Sequence, residues 1–232
     1  MDGIKALTFD TGGTVLDWHT GISRALEQAG QRHGLEFDWP AIANEYRRRS
    51  LRRMVGSVRP GFNIDDVHRD VLDELVNEHS LTALNRQDRA EIVRAWHTLR
   101  TWSDFVPALN RLRTAYPVVS FTILSTALVI DVSRLNGINW DCVICCEMLE
   151  VYKTQPEAYQ RAARLLQLRP DELLMVACHN FDLLAARQEG YRTAFVRRPQ
   201  EWGNAGPPDP VPDPSIDLVV DDFPALAAAL GT

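Results

Sequence analysis

The sequence has few cysteines, and their spacing excludes the usual cysteine-based sites. The four cysteines are Cys142, Cys145, Cys146 and Cys178. Cys142 and Cys145 form one C-x-x-C pair, but a second pair, which a four-cysteine zinc site requires, is absent. Both lie in an apolar run that is typical of a strand, so we predict buried thiols rather than a redox or metal pair.

Long hydrophobic runs and an excess of positive charge are also missing. No stretch approaches the ~18 consecutive apolar residues of a membrane span, and no basic, apolar leader precedes the first strand-like run, so we expect a cytosolic location. Lys and Arg total 25 against 31 for Asp and Glu, a net charge of −6. This balance disfavours nucleic acid and anionic membranes as partners, whereas a small anionic substrate needs only a local Arg or Lys.

The composition is that of a globular protein with a sizeable core. Hydrophobic residues make up 45% and charged residues 24% of the 232 residues, with 13 glycines and 13 prolines. Collagen-like, disordered and mini-protein classes are therefore excluded. A single core stops growing at about 250 residues, so the length fits one core with one inserted unit.

Short apolar runs alternate with helical patterns along the chain. The predicted strands are Ala6–Phe9, Ser120–Leu124, Cys142–Cys146, Leu173–Ala177, Thr193–Val196 and Asp217–Val219. Helices are predicted over Pro156–Leu166, capped by Thr154, and over Leu183–Glu189, ending at Gly190. The pattern indicates an α/β fold, a Rossmann-like doubly wound parallel sheet with helices on both faces.

The long segment between the first two predicted strands contains no convincing strand. Helical periodicity recurs there over Tyr46–Met54, Asp65–Glu78 and Arg86–Thr98. We therefore expect an α-helical cap domain over residues 17–100, inserted into a core domain of residues 1–16 and 101–232.

Polar residues follow the predicted strands, where ligands of doubly wound sheets bind. Asp10 closes the first strand, and Gly12-Gly13 removes side chains so that backbone N–H groups can face an anion. A carboxylate in this position is either a nucleophile or the cap of the next turn. The set of residues at the strand ends is Asp10, Ser125, Lys153 and Asp182.

With this set in this order, the sequence resembles the haloacid dehalogenase superfamily over nearly its whole length. The stretches Val151–Tyr159 and Met175–Leu183 resemble the 2-haloacid dehalogenase (type II) branch, including fluoroacetate dehalogenase-like relatives. The resemblance implies a metal-independent hydrolase without a cofactor that removes halide from short 2-haloacids. The implied partners are a small anionic substrate and the halide product, and a homodimer is left open.

The resemblance also implies catalytic roles. Asp10 attacks the carbon that carries the halogen and forms an ester that water hydrolyses. Lys153 keeps Asp10 ionised, and Asp182 anchors Lys153. Ser125 steadies the nucleophile or binds the substrate carboxylate, unless it is an ordinary N-cap. His179 orients the hydrolytic water or is a structural histidine.

Further residues are assigned to substrate binding by the resemblance: Thr11, Gly12, Arg47, Thr126, Tyr159 and Asn180. Tyr46-Arg47 matches the aromatic–Arg pair that receives the halide and the carboxylate in this family, and the Arg47 guanidinium offers planar donors. The basic run over residues 47–53 is equally typical of a solvated helix face. The Tyr159 hydroxyl either reaches a carboxylate or the ring packs on its helix.

Three positions, Gly12, Cys178 and Thr126, help to distinguish a dehalogenase from a phosphatase. Phosphatases of the superfamily have a general acid where this sequence has Gly12 and a Mg²⁺-binding Asp where it has Cys178. A halide leaves without a proton, and a thiol is a poor ligand for Mg²⁺, so both changes favour dehalogenation. Dehalogenases, however, carry an aromatic residue in place of Gly12 and Asn in place of Thr126. A Mg²⁺-dependent phosphatase and a catalytically weak, small-acid-binding relative therefore remain alternatives.

Overall fold

The computed structural model describes residues 1–232, and one parallel sheet organises them. Its strands are β1 (Ala6–Phe9), β2 (Val118–Thr122), β3 (Cys142–Cys145), β4 (Leu173–Ala177), β5 (Arg192–Val196) and β6 (Leu218–Val220). Their order is β3-β2-β1-β4-β5-β6, and every neighbouring pair is parallel. The order reverses at β1, so a ligand crevice is expected beyond the carboxyl end of this central strand.

Ten α-helices accompany the sheet. They are α1 (Trp18–Arg32), α2 (Trp39–Met54), α3 (Ile64–Glu78), α4 (Arg86–Ala95), α5 (Phe105–Leu112), α6 (Thr126–Asn136), α7 (Cys146–Leu149), α8 (Pro156–Leu166), α9 (Asn180–Gln188) and α10 (Phe223–Ala229). Single 3₁₀ turns lie at Trp96–Thr98, Pro170–Glu172 and Gly203–Ala205. Helices α1 to α4 pack against one another as an inserted cap. The predicted α/β class with a helical cap is confirmed, and no helix is long and apolar enough to cross a membrane.

The apolar strands explain why the sheet is covered on both faces. Every residue of β1, β2 and β4 is buried, as is typical of parallel strands that have helices above and below. The buried hydrophobic residues form a single cluster of 69 that includes residues of both the cap and the sheet. Cap and core therefore share one continuous apolar interior.

Two backbone segments connect the cap to the core, and they run side by side. Leu16 forms an isolated antiparallel bridge with Thr101. The Asp17 N–H donates to the Arg100 carbonyl at 2.9 Å, and the Trp102 N–H donates to the Val15 carbonyl at 3.0 Å. The pairing fixes where the chain leaves the sheet and where it returns.

Several predicted element boundaries were wrong. β2 ends at Thr122, two residues before the predicted end, because the buried Ile123 and Leu124 continue the apolar run into the following turn. Cys146 begins α7 instead of ending β3. Cys142 is exposed, contrary to the prediction of a buried thiol, because β3 is an edge strand of the sheet.

Helix starts were predicted less well than helix ends. Helix α8 has the predicted bounds, but Gln155 precedes it without a side-chain capping bond, so Thr154 is not the cap. Helix α9 begins at Asn180 rather than at Leu183, because polar residues that look like a loop form its first turn. Helix α1 was not among the predicted segments.

Candidate active site

Asp10 lies at the carboxyl end of the central strand β1. Its carboxylate is nearly enclosed, with the residue 6% exposed. The Thr14 hydroxyl donates to Oδ2 at 2.8 Å, Lys153 Nζ lies 3.4 Å from Oδ1, and His179 Nδ1 lies 3.3 Å from Oδ2. Burial alone raises the pKa of Asp10, but Lys153 and His179 together hold it well below its usual range. Asp10 is therefore ionised at neutral pH.

Lys153 is the buried cation beside Asp10, and a polar relay holds it. Its Nζ donates to Asp182 Oδ2 at 2.7 Å, and the Tyr159 hydroxyl donates to Asp182 Oδ1 at 2.7 Å. The Tyr191 hydroxyl donates to the Tyr159 carbonyl at 2.8 Å. Burial lowers the pKa of Lys153, yet Asp182 and Asp10 outweigh it and raise this pKa, so the ammonium stays charged.

His179 connects Asp10 to a second buried carboxylate, Glu201. His179 Nε2 lies 3.0 Å from Glu201 Oε1 and 3.2 Å from Oε2, and Trp18 Nε1 donates to Oε1 at 3.0 Å. Burial lowers the pKa of His179, but its acidic neighbours raise it well above its ordinary value. Burial raises the pKa of Glu201, but His179 brings it below the ordinary range. The two form a charged pair behind Asp10.

Arg47 of α2 is buried in the cap with its guanidinium turned toward the Asp10 loop. Nη2 donates to the Gly12 carbonyl at 3.3 Å, and the guanidinium carbon lies 5.7 Å from the ring centroids of both Trp18 and Trp96. Nε and Nη1 are buried without a hydrogen-bond partner. Two planar donors are therefore available for a carboxylate or a halide.

Gly13 has no room for a side chain, and Gly12 has little. A Cβ on Gly12 would lie 3.0 Å from Arg47 Nη2, and a Cβ on Gly13 would lie 2.1 Å from Glu201 Oε1. Gly13 also has φ +96°, in the left-handed region. The Arg47 guanidinium therefore lies in the space beside Gly12 that a side chain would enter.

The backbone of the Asp10 loop is held from three directions. Arg47 binds the Gly12 carbonyl, Trp102 Nε1 donates to the Gly13 carbonyl at 2.8 Å, and Arg198 Nε donates to the Thr14 carbonyl at 3.0 Å. Both terminal nitrogens of Arg198 pair with Asp104 at 3.0 Å. The loop is thus positioned before any substrate binds.

Ser125 combines a capping role with a contact to the cap. Its hydroxyl accepts the Leu128 N–H at 3.1 Å as the N-cap of α6 and donates to Asp65 Oδ2 of α3 at 2.6 Å. The adjacent Thr126 N–H donates to Glu147 Oε1 at 2.6 Å. That amide is therefore engaged by the protein itself.

Two residues assigned to substrate binding turn away from Asp10. The Thr11 hydroxyl shares a 2.8 Å hydrogen bond with the buried Ser120 hydroxyl of β2. The Asn180 amide donates to the Val211 carbonyl and accepts the Asp213 N–H, both at 2.9 Å. Asn180 therefore anchors a surface loop, and its side chain has no free amide for a substrate.

Some residues of the site were not proposed from the sequence. Thr14 and Glu201 contact the Asp10–His179 pair, and Asp65 binds Ser125. Thr14 could have been found, because it closes the turn that begins at Asp10. Glu201 lies in an irregular segment and Asp65 in a cap helix, so no local motif marks either residue.

Comparison with known proteins shows which family the chain belongs to. Residues 4–190 match the haloacid dehalogenase-like hydrolase family. The chain belongs to this family. A defluorinating L-2-haloacid dehalogenase of known structure, Rha0230, is 37% identical, with a TM-score of 0.91 over 99% of this chain and 96% of its own.

Curated relatives of this haloacid dehalogenase-like hydrolase have two kinds of activity in their names. (S)-2-haloacid dehalogenase 1 of Pseudomonas sp. (strain CBS-3) is 26% identical over 222 residues, covering 88% of this chain and 91% of its own. Pyrophosphatase PpaX of Anoxybacillus flavithermus (strain DSM 21510 / WK1) is 27% identical over 195 residues, 83% of each chain. The identities of these two curated relatives to the chain therefore do not separate the two activities.

The residues around Asp10 do not suit Mg²⁺. Lys153 and His179 place nitrogen donors at 3.4 and 3.3 Å from its two oxygens, where a hard cation would need oxygen ligands. Cys178 supplies a thiol where phosphatases of the superfamily have a carboxylate, and burial raises the pKa of this thiol to about 11. The donor set of the hydrolase is therefore unsuited to a phosphatase magnesium centre.

Proposed function

We propose that this hydrolase releases halide from short 2-haloacids through an ester on Asp10, without a metal ion. The observation that carries the proposal is the buried, ionised Asp10 carboxylate between Lys153 and His179, with Arg47 bound to the adjacent Gly12 carbonyl and keeping two guanidinium donors without a partner. A nucleophile, its counter-ions and an anion-binding group then lie within one enclosed site.

Substrate binding depends on Arg47. Its Nε and Nη1 need an acceptor when the site is filled, and a carboxylate or a halide provides one. The faces of Trp18 and Trp96 hold the guanidinium in place by cation–π contact. Because Asp10 is 6% exposed, the enclosed site favours a short acid.

Displacement requires one free oxygen on Asp10. Oδ2 accepts the Thr14 hydroxyl and faces His179, whereas Oδ1 has only the longer contact with Lys153, so Oδ1 is the attacking atom. The new C–O bond forms as the carbon–halogen bond breaks, and the halide leaves with the bonding electrons. No proton is needed for this step, which fits Gly12 in place of a general acid.

The second step, hydrolysis of the ester, involves His179 rather than Asp182. Both Asp182 oxygens are engaged by Lys153 and Tyr159, so Asp182 is a positioning residue. His179 faces Asp10 through Nδ1 and is held by Glu201 through Nε2. After attack by Oδ1, Oδ2 is the carbonyl oxygen of the ester, so the Nδ1–H of His179 polarises this carbonyl toward attack by water.

We assign the cap to residues 17–100, bounded by the paired connections at Leu16 and Thr101.

Halide release from fluoro-, chloro- and bromoacetate and from both 2-chloropropionate enantiomers, with and without EDTA, tests the proposal. We expect release that EDTA does not reduce and that Asp10→Asn lowers to background. Asp2→Asn, which changes an exposed carboxylate, is the control and retains activity. Full release by Asp10→Asn overturns the mechanism, and saturable haloacid binding without turnover supports a binding protein instead.

A Mg²⁺-dependent phosphatase is the second candidate, because the pyrophosphatase PpaX covers 83% of the chain at 27% identity. Phosphate release from pyrophosphate and from an aryl phosphate would then rise with Mg²⁺ and vanish with EDTA. We expect no such stimulation, because Gly12 and Cys178 stand where phosphatases of the superfamily have a general acid and a Mg²⁺-binding carboxylate.

A further inference from the structure

We propose that Cys178, His179 and Glu201 form a Zn²⁺ site behind the nucleophile, and that Zn²⁺ bound there inhibits the enzyme. The three residues are 3%, 5% and 1% exposed, and their donor atoms lie within 4.8 Å of one another. Thiolate, imidazole and carboxylate are the three donor types that protein Zn²⁺ sites use.

The distances between the donor atoms match a zinc site. Cys178 Sγ lies 3.4 Å from His179 Nε2 and 3.5 Å from Glu201 Oε2, and Nε2 lies 3.2 Å from Oε2. Tetrahedral bonds of about 2.3 Å to sulfur and about 2.0 Å to nitrogen and oxygen separate ligands by about 3.5 Å where sulfur is included and about 3.3 Å otherwise. The three donors therefore already form one face of a Zn²⁺ tetrahedron.

The remaining atoms of these side chains are fixed by other contacts. Trp18 Nε1 holds Glu201 Oε1, which leaves Oε2 for the ion. His179 Nδ1 faces Asp10 Oδ2 at 3.3 Å, which leaves Nε2 for the ion. A carboxylate on the far nitrogen of a ligating histidine is the usual outer partner of a Zn²⁺ site. Here that carboxylate is the nucleophile.

A cavity provides room for a fourth ligand. About 140 Å³ of space reaches Cys178 and is lined partly by Phe195, Arg197 and Pro207. This is several times the volume of one water molecule in the liquid, about 30 Å³. Water can therefore approach the coordination sphere from the Cys178 side, since Cys178 is the one of the three donors that lines this space.

Binding is an exchange of protons for Zn²⁺. The Cys178 thiol and His179 Nε2 each lose a proton to solvent, and no oxidation is involved. The ion takes the place of the Nε2 proton, and the Nδ1–H of a Zn²⁺-bound imidazole is a weaker donor than that of an imidazolium. His179 then polarises the ester on Asp10 less strongly toward attack by water. The inhibition rests on the proposed function, whereas the binding does not.

Binding is tested with Zn²⁺ in competition with a chromophoric chelator and with Co²⁺ as a spectroscopic probe. We expect one equivalent of metal and a cobalt spectrum with a thiolate charge-transfer band and strong visible bands of tetrahedral coordination. Cys178→Ser abolishes both, Glu201→Gln weakens binding at least about tenfold, and Cys142→Ser, at an exposed cysteine, changes neither. No bound metal, or stoichiometric metal that persists in Cys178→Ser, overturns the site.

Inhibition is tested separately by halide release. We expect Zn²⁺ to lower the wild-type rate at least about tenfold, EDTA to restore it, and whatever activity Cys178→Ser has to be insensitive to Zn²⁺. Metal binding at Cys178 without loss of rate overturns the inhibition but leaves the site supported. If no haloacid releases halide, the proposed function fails, and the cobalt spectrum still decides the site.

Discussion

Asp65 in the cap accepts a hydrogen bond from Ser125 in the core at 2.6 Å. Asp65 Oδ1 lies 3.4 Å from His97 Nε2, and His97 Nδ1 lies 2.8 Å from Asp131 Oδ2 in α6. This polar chain crosses from the cap to the core and ends where Ser125 caps α6. The Ser125 hydroxyl, which the family resemblance assigns to binding the substrate carboxylate, therefore already donates its hydrogen bond to Asp65.

Asp65→Ala removes the internal competitor for Ser125. We expect a lower KM for 2-haloacids, because the hydroxyl and one negative charge no longer oppose the substrate anion. The lost hydrogen bond lowers the free energy of unfolding by about 1 kcal/mol. Steady-state kinetics and urea unfolding measure both effects. Asp66→Ala, which removes the exposed neighbour in the same helical turn, is the control, and an equal KM in both variants contradicts the competition.

Arg47→Lys replaces the planar donors with a single ammonium. We expect kcat/KM for haloacids to fall about 10- to 100-fold, because hydrogen bonds to charged groups contribute about 1.5–3 kcal/mol. Arg48→Lys on the exposed face of the same helix leaves kcat/KM unchanged. Equal kinetics of the two variants would show that Arg47 only packs between Trp18 and Trp96.

Gly12→Asp introduces the residue that superfamily phosphatases carry. Its Cβ would lie 3.0 Å from Arg47 Nη2, so the new carboxylate pairs with the guanidinium. We expect haloacid turnover to fall and no Mg²⁺-dependent phosphatase activity to appear. Halide and phosphate release from the same preparation measure this. A gain of Mg²⁺-stimulated phosphate release would contradict the absence of a magnesium centre.

Tyr159→Phe removes one hydrogen bond from Asp182, which holds Lys153. We expect kcat to fall about tenfold, because a buried oxygen that loses its partner costs about 1–3 kcal/mol and Lys153 is less firmly positioned. Tyr116→Phe, whose hydroxyl donates to a carbonyl at 3.4 Å far from Asp10, is the control. A change in stability alone, with kcat intact, would assign Tyr159 to packing.

The pH dependence of stability reports on His97. Hydrogen bonding to Asp65 raises the pKa of His97 above 6.5, with burial opposing and Asp131 adding to the rise. The contribution of the imidazolium is full below pH 6.5 and is lost as pH rises through the folded-state pKa. The unfolding free energy of wild type minus that of His97→Gln should therefore be largest below pH 6.5 and shrink as the pH rises above it. A pH-independent difference would contradict the pairing.

Local sequence patterns determined much of the fold. β1, β4 and α8 have the predicted bounds, because apolar runs between turn residues and a proline at the first helical position are short-range signals. Asp10, Lys153 and Asp182 were also proposed from the sequence, since parallel strands bring their carboxyl ends to one edge. The structure places these three side chains in one hydrogen-bonded group.

Only the tertiary structure decided which groups pair across long separations in the chain. The Glu201 partner of His179 and the Asp65 partner of Ser125 come from an irregular segment and from a cap helix, and neither carries a motif. The exposure of Cys142 depends on the position of β3 at the sheet edge. Residue propensities act over a few neighbours, whereas burial and pairing depend on how distant segments pack. The sequence alone therefore pointed to Asp10 and to the strand that carries it, and tertiary packing decided which groups surround Asp10.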